Sequence, residues 1–405
     1  MSSDTFQRPK TARELEIMQG FPPAPDKRPT SSNWDLPPFN RWSFQNMRML
    51  FPTTEVQRGD QKPSTFESAD EDLSAVRFQN ISGATRDIWQ LLDETYTDGF
   101  LVYHDGRIVM EHYANDMTPK TLHLSQSLAK TIVGTVAGML IEQGLVDPEA
   151  PLASIVPELA QCGYGDATLT QTLSMQSGVR FTEDYNHPNS DMTRVDIACG
   201  WRPAREGSTY ESIRDIILSL PKIREHGEVF EYRSIETDVV AWVLERGTSE
   251  SLAQLTSRLI WQPMGAARDA CFNVDREGTA LADGGFNATL RDYARFGRLY
   301  LDAASQNEGP VSLSWRSGSQ LGDASKFGEP YTDVAPNGAY KNKWWVRDVN
   351  RGDINARGVF GQLIYLDPAS NFMAVKLSTW PDYLIPDFTK DTFLAIDAIR
   401  AHLER

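Results

Sequence analysis

Ser127 and Lys130, within Leu124-Ser125-Gln126-Ser127-Leu128-Ala129-Lys130-Thr131, form an S-x-x-K motif at the head of an apolar stretch. On an α-helix, residues i and i+3 share a face, so the lysine amine comes within reach of the hydroxyl one turn before it. A serine hydroxyl is a poor nucleophile at neutral pH until a base takes its proton, and that base needs a partner to keep it uncharged. The chemistry open to such a pair is acyl transfer through a covalent serine ester. The motif is short, and about one or two chance matches are expected in a chain this long. Ser219-Leu220-Pro221-Lys222 is a second match, set aside because its proline breaks helical continuity. The first is followed by Ile132, Val133, Val136, Met139, Leu140 and Leu145 at helical spacing. The plain alternative is an exposed serine and lysine on an ordinary helix.

A second polar element, Tyr232-Arg233-Ser234, follows the apolar approach at Phe230. A tyrosine that exists partly as phenolate beside an ammonium is a proton acceptor or relay. Tyr113, Tyr210 and Tyr340 head similar triplets. Tyr113 precedes the serine and Tyr340 follows a Pro-Asn-Gly turn late in the chain, so Tyr210 remains the competitor. For any one of these a structural tyrosine is the default.

The elements that must position these residues are legible in outline. Phe100–Tyr103 and Ile108–Glu111 flank an Asp-Gly turn and predict a β-hairpin. The helix bearing Ser127 closes near Gly144 and Asp147-Pro148. Residues 148–260 read as helices and long loops, with a strongly periodic helix over Thr237–Arg246. A further helix is predicted over Leu290–Leu301, and strands follow at Trp344–Val346, Gly358–Leu366 and Phe372–Leu377, before a closing helix from about Asp391. Strands at both ends around a helical middle predict an antiparallel sheet built from both ends of the chain, flanked by helices, with an inserted helical lobe and a cleft between the lobes. The division reads as an N-terminal arm over 1–65 packed on the core by its aromatics, an α/β lobe over 66–147 and 261–405, and a helical lobe over 148–260.

With 405 residues and 40% hydrophobic content the chain builds a large core. A net charge of -15, with no run of five basic residues, argues against nucleic acid and anionic membranes and for a small-molecule partner; a homodimer is admissible. Cys162, Cys199 and Cys271 are too few and scattered for a disulfide framework. Together with an N-terminus lacking an apolar signal core and no span of about 20 apolar residues, they place the protein in the cytoplasm. No H-E-x-x-H, G-x-S-x-G or Gly-rich phosphate loop occurs, so neither a metal nor a cofactor is expected.

In their order and approximate spacing, Ser127-x-x-Lys130, Tyr232-x-Ser234 and the glycine strand at Gly358 resemble the penicillin-recognising serine hydrolases, the class C β-lactamase and esterase group. Within that family the chain is most similar to the 6-aminohexanoate-dimer hydrolases. This resemblance rests on Trp34-Asp35, Asn40-Arg41-Trp42, Met175-Gln176, Glu183-Asp184-Tyr185, Gly200-Trp201-Arg202, Thr237-Asp238-Val239, Gly284-Gly285, Trp344-Trp345, Gly361-Gln362 and Trp380-Pro381-Asp382. It implies the two-lobed α/β serine β-lactamase-like fold, an acyl-serine mechanism without metal, and activity on linear amides or carboxylic esters. The family's K-T-G-like triplet falls on Ala356-Arg357-Gly358, where the lysine is absent. The backbone amides of Ser127 and Val359 still provide an oxyanion hole, one donor of which is worth about 3 to 4 kcal/mol. The missing charge weakens the case for binding a β-lactam carboxylate.

Tyr185 resembles the tyrosine that covers the scissile group, and Asp196, in the loop that follows, pairs with a substrate ammonium if it faces inward. Ser234, Gly358 and Trp345 complete the expected substrate-binding set, one of Trp344 and Trp345 being core. Two alternatives stand beside the hydrolase reading: a β-lactamase or D-amino-acid peptidase, and a penicillin-binding-like scaffold without catalysis.

Overall fold

The computed structural model describes residues 8–69, 71–301 and 309–405. The first seven residues of the arm, and residues 70 and 302–308 of the α/β lobe, lie outside that range. Among the described residues the main sheet has eight strands, in the order Ala339–Lys341, Trp344–Asp348, Asp353–Gly358, Gln362–Asp367, Phe372–Ser378, Thr97–His104, Arg107–Tyr113 and Glu67–Ser68. Every pairing is antiparallel except the last, where Glu67 and Ser68 run parallel to Arg107 and Ile108. The early hairpin and the late strands thus meet at Phe372–Ser378 and Thr97–His104, which joins the two ends of the chain in one sheet.

The Phe372–Ser378 strand is buried along its whole length because helices cover both faces of the sheet. Met373, Val375 and Leu377 pack with Tyr293 and Phe296 of the helix Leu290–Leu301. On the other face, Phe372 and Ala374 pack with Phe393, Ile396 and Ile399 of the helix Pro386–Leu403. That alternation is the two-residue period of a strand. Between sheet and helical lobe runs Ala129–Glu142, buried on all sides from Ala129 to Leu140, as expected of a helix apolar around its whole circumference. Gly138 allows the approach of Trp315, since a Cβ there would lie 2.2 Å from the indole ring.

The helical middle contains Leu169–Leu173, Asp191–Ala198, Ile213–Ser219, Ile235–Thr248 and Leu252–Thr256. The side chains of Thr168, Ser190, Ser212 and Ser251 each accept a hydrogen bond from the amide three residues on, satisfying an otherwise unpaired helix-start donor. The N-terminal arm is woven in more deeply than a covering strap. Its Thr53–Val56 segment pairs with Ala270–Asn273, which continues through Phe286–Ala288 to His123–Leu124 in a second, four-stranded sheet.

This small sheet carries the chain to Ser125, whose amide donates to Phe286 O at 2.8 Å. Behind it, buried Asp98 receives Arg41 Nη1 at 2.7 Å and lies 3.1 Å from His123 Nε2, so an arm residue braces the segment leading to Ser127.

Candidate active site

Ser127 sits in the 3-10 turn Gln126–Leu128, which runs directly into the helix Ala129–Glu142. Gln126 has φ +48°, a left-handed conformation that costs a residue with a Cβ about 1–2 kcal/mol. The bend presents the Ser127 amide at the helix's positive end, where four backbone donors lack intrahelical partners. One turn on, the fully buried Lys130 donates from Nζ to Ser127 Oγ at 2.9 Å and to Asp283 O at 2.6 Å.

Tyr232 closes the group, with Lys130 Nζ 5.2 Å from its ring centroid. Burial pushes the Tyr232 phenol up, opposed by the Lys130 charge and by hydrogen bonding to Ser127 and Lys130, and the net shift is upward. For Lys130 burial pulls the ammonium down, but Tyr232, Asp283 and Glu183 together outweigh it and the net direction is also upward. The resting site therefore holds an ammonium beside a neutral phenol. A standing phenolate is not its ground state.

The turn that delivers Tyr232 is locked by its neighbours. Buried Arg233 donates through Nη1 to Ser177 O at 3.0 Å and to Glu236 Oε1 at 3.3 Å. Ser234, directly before the helix Ile235–Thr248, turns to Glu183: its amide donates to Oε2 at 2.8 Å and its hydroxyl to Oε1. Glu183 also receives the Tyr185 hydroxyl at 2.7 Å, so one carboxylate ties both expected binding residues together. Trp345 stacks on Tyr232 with centroids 5.2 Å apart.

Opposite the serine turn lies the end of the strand Asp353–Gly358. Gly358 lets the two segments meet, because a Cβ there would lie 2.3 Å from Ser125 O and 2.9 Å from Gln126 Cβ. Val359 follows in a turn whose next residue, Phe360, again has a positive φ of +62°. Buried Gln362 clamps this turn by donating to Val359 O at 3.3 Å, Phe360 O at 3.2 Å and Ser378 O at 2.7 Å. Left-handed residues thus flank both amides expected to hold an oxyanion, Gln126 before Ser127 and Phe360 after Val359. Such backbone persists only where surrounding structure over-determines it.

Two cavities open on Ser127. The smaller, of about 80 Å³, is lined by Asp35, Tyr185, Asp196, Arg202, Ser234, Asp283 and Val359, among others. The larger, of about 570 Å³, is lined by Tyr185, Tyr232, Trp345, Arg357, Gly358, Val359 and apolar groups including Val334, Leu363 and Leu384. Asp196 faces the smaller cavity from the helix Asp191–Ala198, which corrects its assignment to a loop; Ser190 caps that helix. Burial pushes the Asp196 carboxyl up to about 7, with Arg202 opposing and Asp35, Asp283 and Glu183 adding to the rise. Trp344 is the core member of its pair, fully buried against Phe296 and Tyr300.

The expectation of a site without a cation at the triplet also needs correction. Ala356 is buried in the core, but neighbouring strand residues face opposite sides, and Arg357 lines the larger cavity. Its guanidinium lies 4.0 Å from the Trp345 ring centroid.

The rival tyrosines lie elsewhere. Tyr210 is 36% exposed and accepts from the Arg276 amide at 3.1 Å; Tyr113 donates to Glu111; Tyr340 is buried against Phe230 and Trp345. In the discarded S-x-x-K match, Ser219 ends a helix and Lys222 pairs with Asp166. Sequence reasoning missed the roles of Glu183, Asp283, Gln362 and Arg357. It also missed that the arm itself walls the smaller cavity, through Trp34, whose Nε1 donates to Trp201 O at 2.8 Å, and Asp35, which receives both Nη atoms of Arg202.

A family model described as Beta-lactamase matches residues 87–398. The chain is 36% identical over 365 residues to the 6-aminohexanoate-dimer hydrolase of Paenarthrobacter ureafaciens, covering 89% of this chain and 91% of that one. Among solved structures, one from Bacillus anthracis assigned to 6-aminohexanoate-dimer hydrolase superposes with a TM-score of 0.84 at 28% identity, over 93% of this chain and 97% of its own. EstCE1, a hydrolase with promiscuous acyltransferase activity, superposes with a TM-score of 0.60 at 15% identity, over 77% and 96%, and shares the fold.

Proposed function

The chain belongs to the β-lactamase family, and from that premise we propose that Ser127, Lys130 and Tyr232 carry an acyl-serine hydrolysis of linear amides and short carboxylic esters. The enzyme is a serine hydrolase acting on amides or esters. The observation that carries the assignment of residues is the Lys130–Ser127 hydrogen bond of 2.9 Å at the mouth shared by both cavities, with Tyr232 beside it.

Ser127 Oγ attacks the carbonyl carbon while its proton passes to the Lys130–Tyr232 pair once that pair has given up a proton. The amides of Ser127 and Val359 take the developing oxyanion, held in place by the Gly358 contact and the Gln362 clamp. As the tetrahedral species collapses, the Tyr232 hydroxyl protonates the departing amine or alcohol. Water then attacks the ester carbonyl, passing its proton back through the same pair, and the acid leaves Ser127. Ser234 and Tyr185, joined through Glu183, shape the wall beside the scissile group.

The acidic smaller cavity supports a substrate whose acyl half ends in an ammonium, and Asp196 is its partner. A 6-aminohexanoyl amide fits that description, as does the 36% identity to an enzyme named for the dimer. Three unpaired cysteines, two of them buried, support a reducing compartment, the cytoplasm. No described helix is long and apolar enough to cross a membrane.

Measuring kcat/KM on one preparation for p-nitrophenyl butyrate, 6-aminohexanoate dimer and nitrocefin tests this reading. Turnover of the ester and the linear amide is expected; nitrocefin, whose acyl half brings no ammonium to Asp196 in the smaller cavity, should be slower than the linear amide. Nitrocefin exceeding both would replace the amidase or esterase reading with a β-lactamase.

Asp196 sets a pH dependence whose sign follows from its charge. It attracts an ammonium only when ionised, and its carboxyl loses its proton near 7. The ratio of kcat/KM for an ammonium-ended amide to that for a neutral ester should therefore rise as pH increases through about 7 and level off above it. Taking the ratio cancels titrations common to both substrates, such as that of the Lys130–Tyr232 pair. Asp196→Asn should flatten the ratio at its low-pH value; a ratio unchanged across pH 5.5 to 8.5 in the parent enzyme would remove Asp196 from substrate recognition.

A further inference from the structure

The larger cavity has the opposite polarity to the smaller one. Its lining is mostly apolar, and several of its charged side chains are already engaged. Lys376 donates to Thr95 O at 3.3 Å and to Ser378 Oγ; Asp333 receives Lys390 at 2.8 Å; Glu183 is held by Ser234 and Tyr185. Arg357 differs. Among the described residues its guanidinium has no carboxylate partner, and what it has instead is the face of Trp345 at 4.0 Å. An indole under a guanidinium fixes the plane of the fork without using its N–H donors, which leaves them free for a planar, two-oxygen acceptor.

We propose that Arg357 recognises a carboxylate on the leaving half of the substrate, so that the enzyme selects linear amides carrying an ammonium at the acyl end and a carboxylate at the amine end. This deepens the reading of the site as an amidase centred on Ser127 and rests on it. The geometry assigns the two halves. Tyr232, which protonates the departing nitrogen, lines the larger cavity and stacks on the same Trp345 that carries Arg357, so the leaving half lies there. The acyl half then extends toward Asp196 in the smaller cavity. About 570 Å³ of mostly apolar space accommodates the methylenes of an ω-amino acid between these polar points. Burial without an acidic partner lowers the Arg357 guanidinium to about 10, so an incoming carboxylate relieves an uncompensated charge. Charge-assisted fork-to-carboxylate hydrogen bonds inside a partly closed site give about a 10- to 100-fold preference.

The test compares 6-aminohexanoate dimer with the same dimer capped as its C-terminal primary amide, in the parent enzyme, Arg357→Gln and Arg357→Lys. The parent should favour the free acid by about 10- to 100-fold in kcat/KM, mainly through KM. Arg357→Gln should abolish that preference, and Arg357→Lys should restore part of it. Hexanoate binding, followed by titration calorimetry, should weaken by a similar factor in Arg357→Gln; this readout does not depend on turnover. Equal losses on free and capped dimer, with hexanoate affinity unchanged, would show that Arg357 only props Trp345 and would overturn the proposal. If no amide is cleaved by the parent enzyme, the amidase reading fails, while hexanoate binding still decides whether Arg357 holds a carboxylate.

Discussion

Ser127→Ala should abolish hydrolysis of every acyl substrate, with a fall on the order of 10⁶, the scale seen when a catalytic serine is removed. Ser127 Oγ is the atom that Lys130 reaches at the opening of both cavities. The fold should persist, because Ser127 is only half-buried and Lys130 keeps its bond to Asp283 O at 2.6 Å. Helix Ala129–Glu142 loses no buried apolar group in the exchange. A fluorophosphonate probe followed by mass spectrometry should mark Ser127 in the parent enzyme and leave no adduct on the same peptide in the variant. A purified variant that melts like the parent yet keeps more than about a thousandth of its rate would remove Ser127 as the nucleophile.

That serine was legible because its evidence is local: an i, i+3 pair at the head of an apolar helix needs no tertiary information. Tyr232 was harder. In sequence, Tyr210-Glu211-Ser212 is as good a triplet as Tyr232-Arg233-Ser234, and the two differ only in packing: Tyr210 is at the surface under Arg276, whereas Tyr232 lies against Trp345 and Lys130. The sheet built from both ends was readable from hydrophobic runs and the Asp-Gly turn. Its parallel edge at Glu67–Ser68 was not, since two exposed residues carry no period.

Asp196 was assigned to a loop because Asp191, Arg194 and Asp196 interrupt the apolar face of a short helix; Ser190, followed three residues later by Thr193, was the available signal. Arg357 was overlooked for a different reason. The family's charge lies at the first position of the triplet, Ala356 in this chain, yet on a strand an inward-facing Ala356 sends its neighbour to the other side. The family resemblance puts the triplet on a strand, and the two-residue period of a strand sets Arg357 on the face opposite Ala356. Glu183 and Gln362 act by joining segments far apart in the chain, and nothing in their local sequence announces that.

Tyr232→Phe should lower turnover by about 10² to 10⁴, the usual worth of a positioned proton donor or acceptor, and the size of the loss should depend on the leaving group. The substitution removes a hydroxyl and keeps the ring, so the stack on Trp345 at 5.2 Å and the core beneath it remain. The site rests with Lys130 as an ammonium and Tyr232 as a neutral phenol, both shifted upward. A base form therefore appears only as pH rises, and the acylation rate should climb with pH into the alkaline range as the coupled pair gives up its first proton. Removing the phenol leaves Lys130 as the sole route for the Ser127 proton, which slows acylation by any substrate. An amide suffers a second loss, because its amine cannot depart unprotonated, whereas p-nitrophenolate leaves without help. The amide should accordingly fall toward the 10⁴ end and the p-nitrophenyl ester toward the 10² end. Tyr210→Phe should leave both rates unchanged, since its hydroxyl serves only the Arg276 amide. Equal losses on amide and ester would confine Tyr232 to activating the serine, and a Tyr210→Phe variant that is crippled while Tyr232→Phe is not would transfer the role to Tyr210.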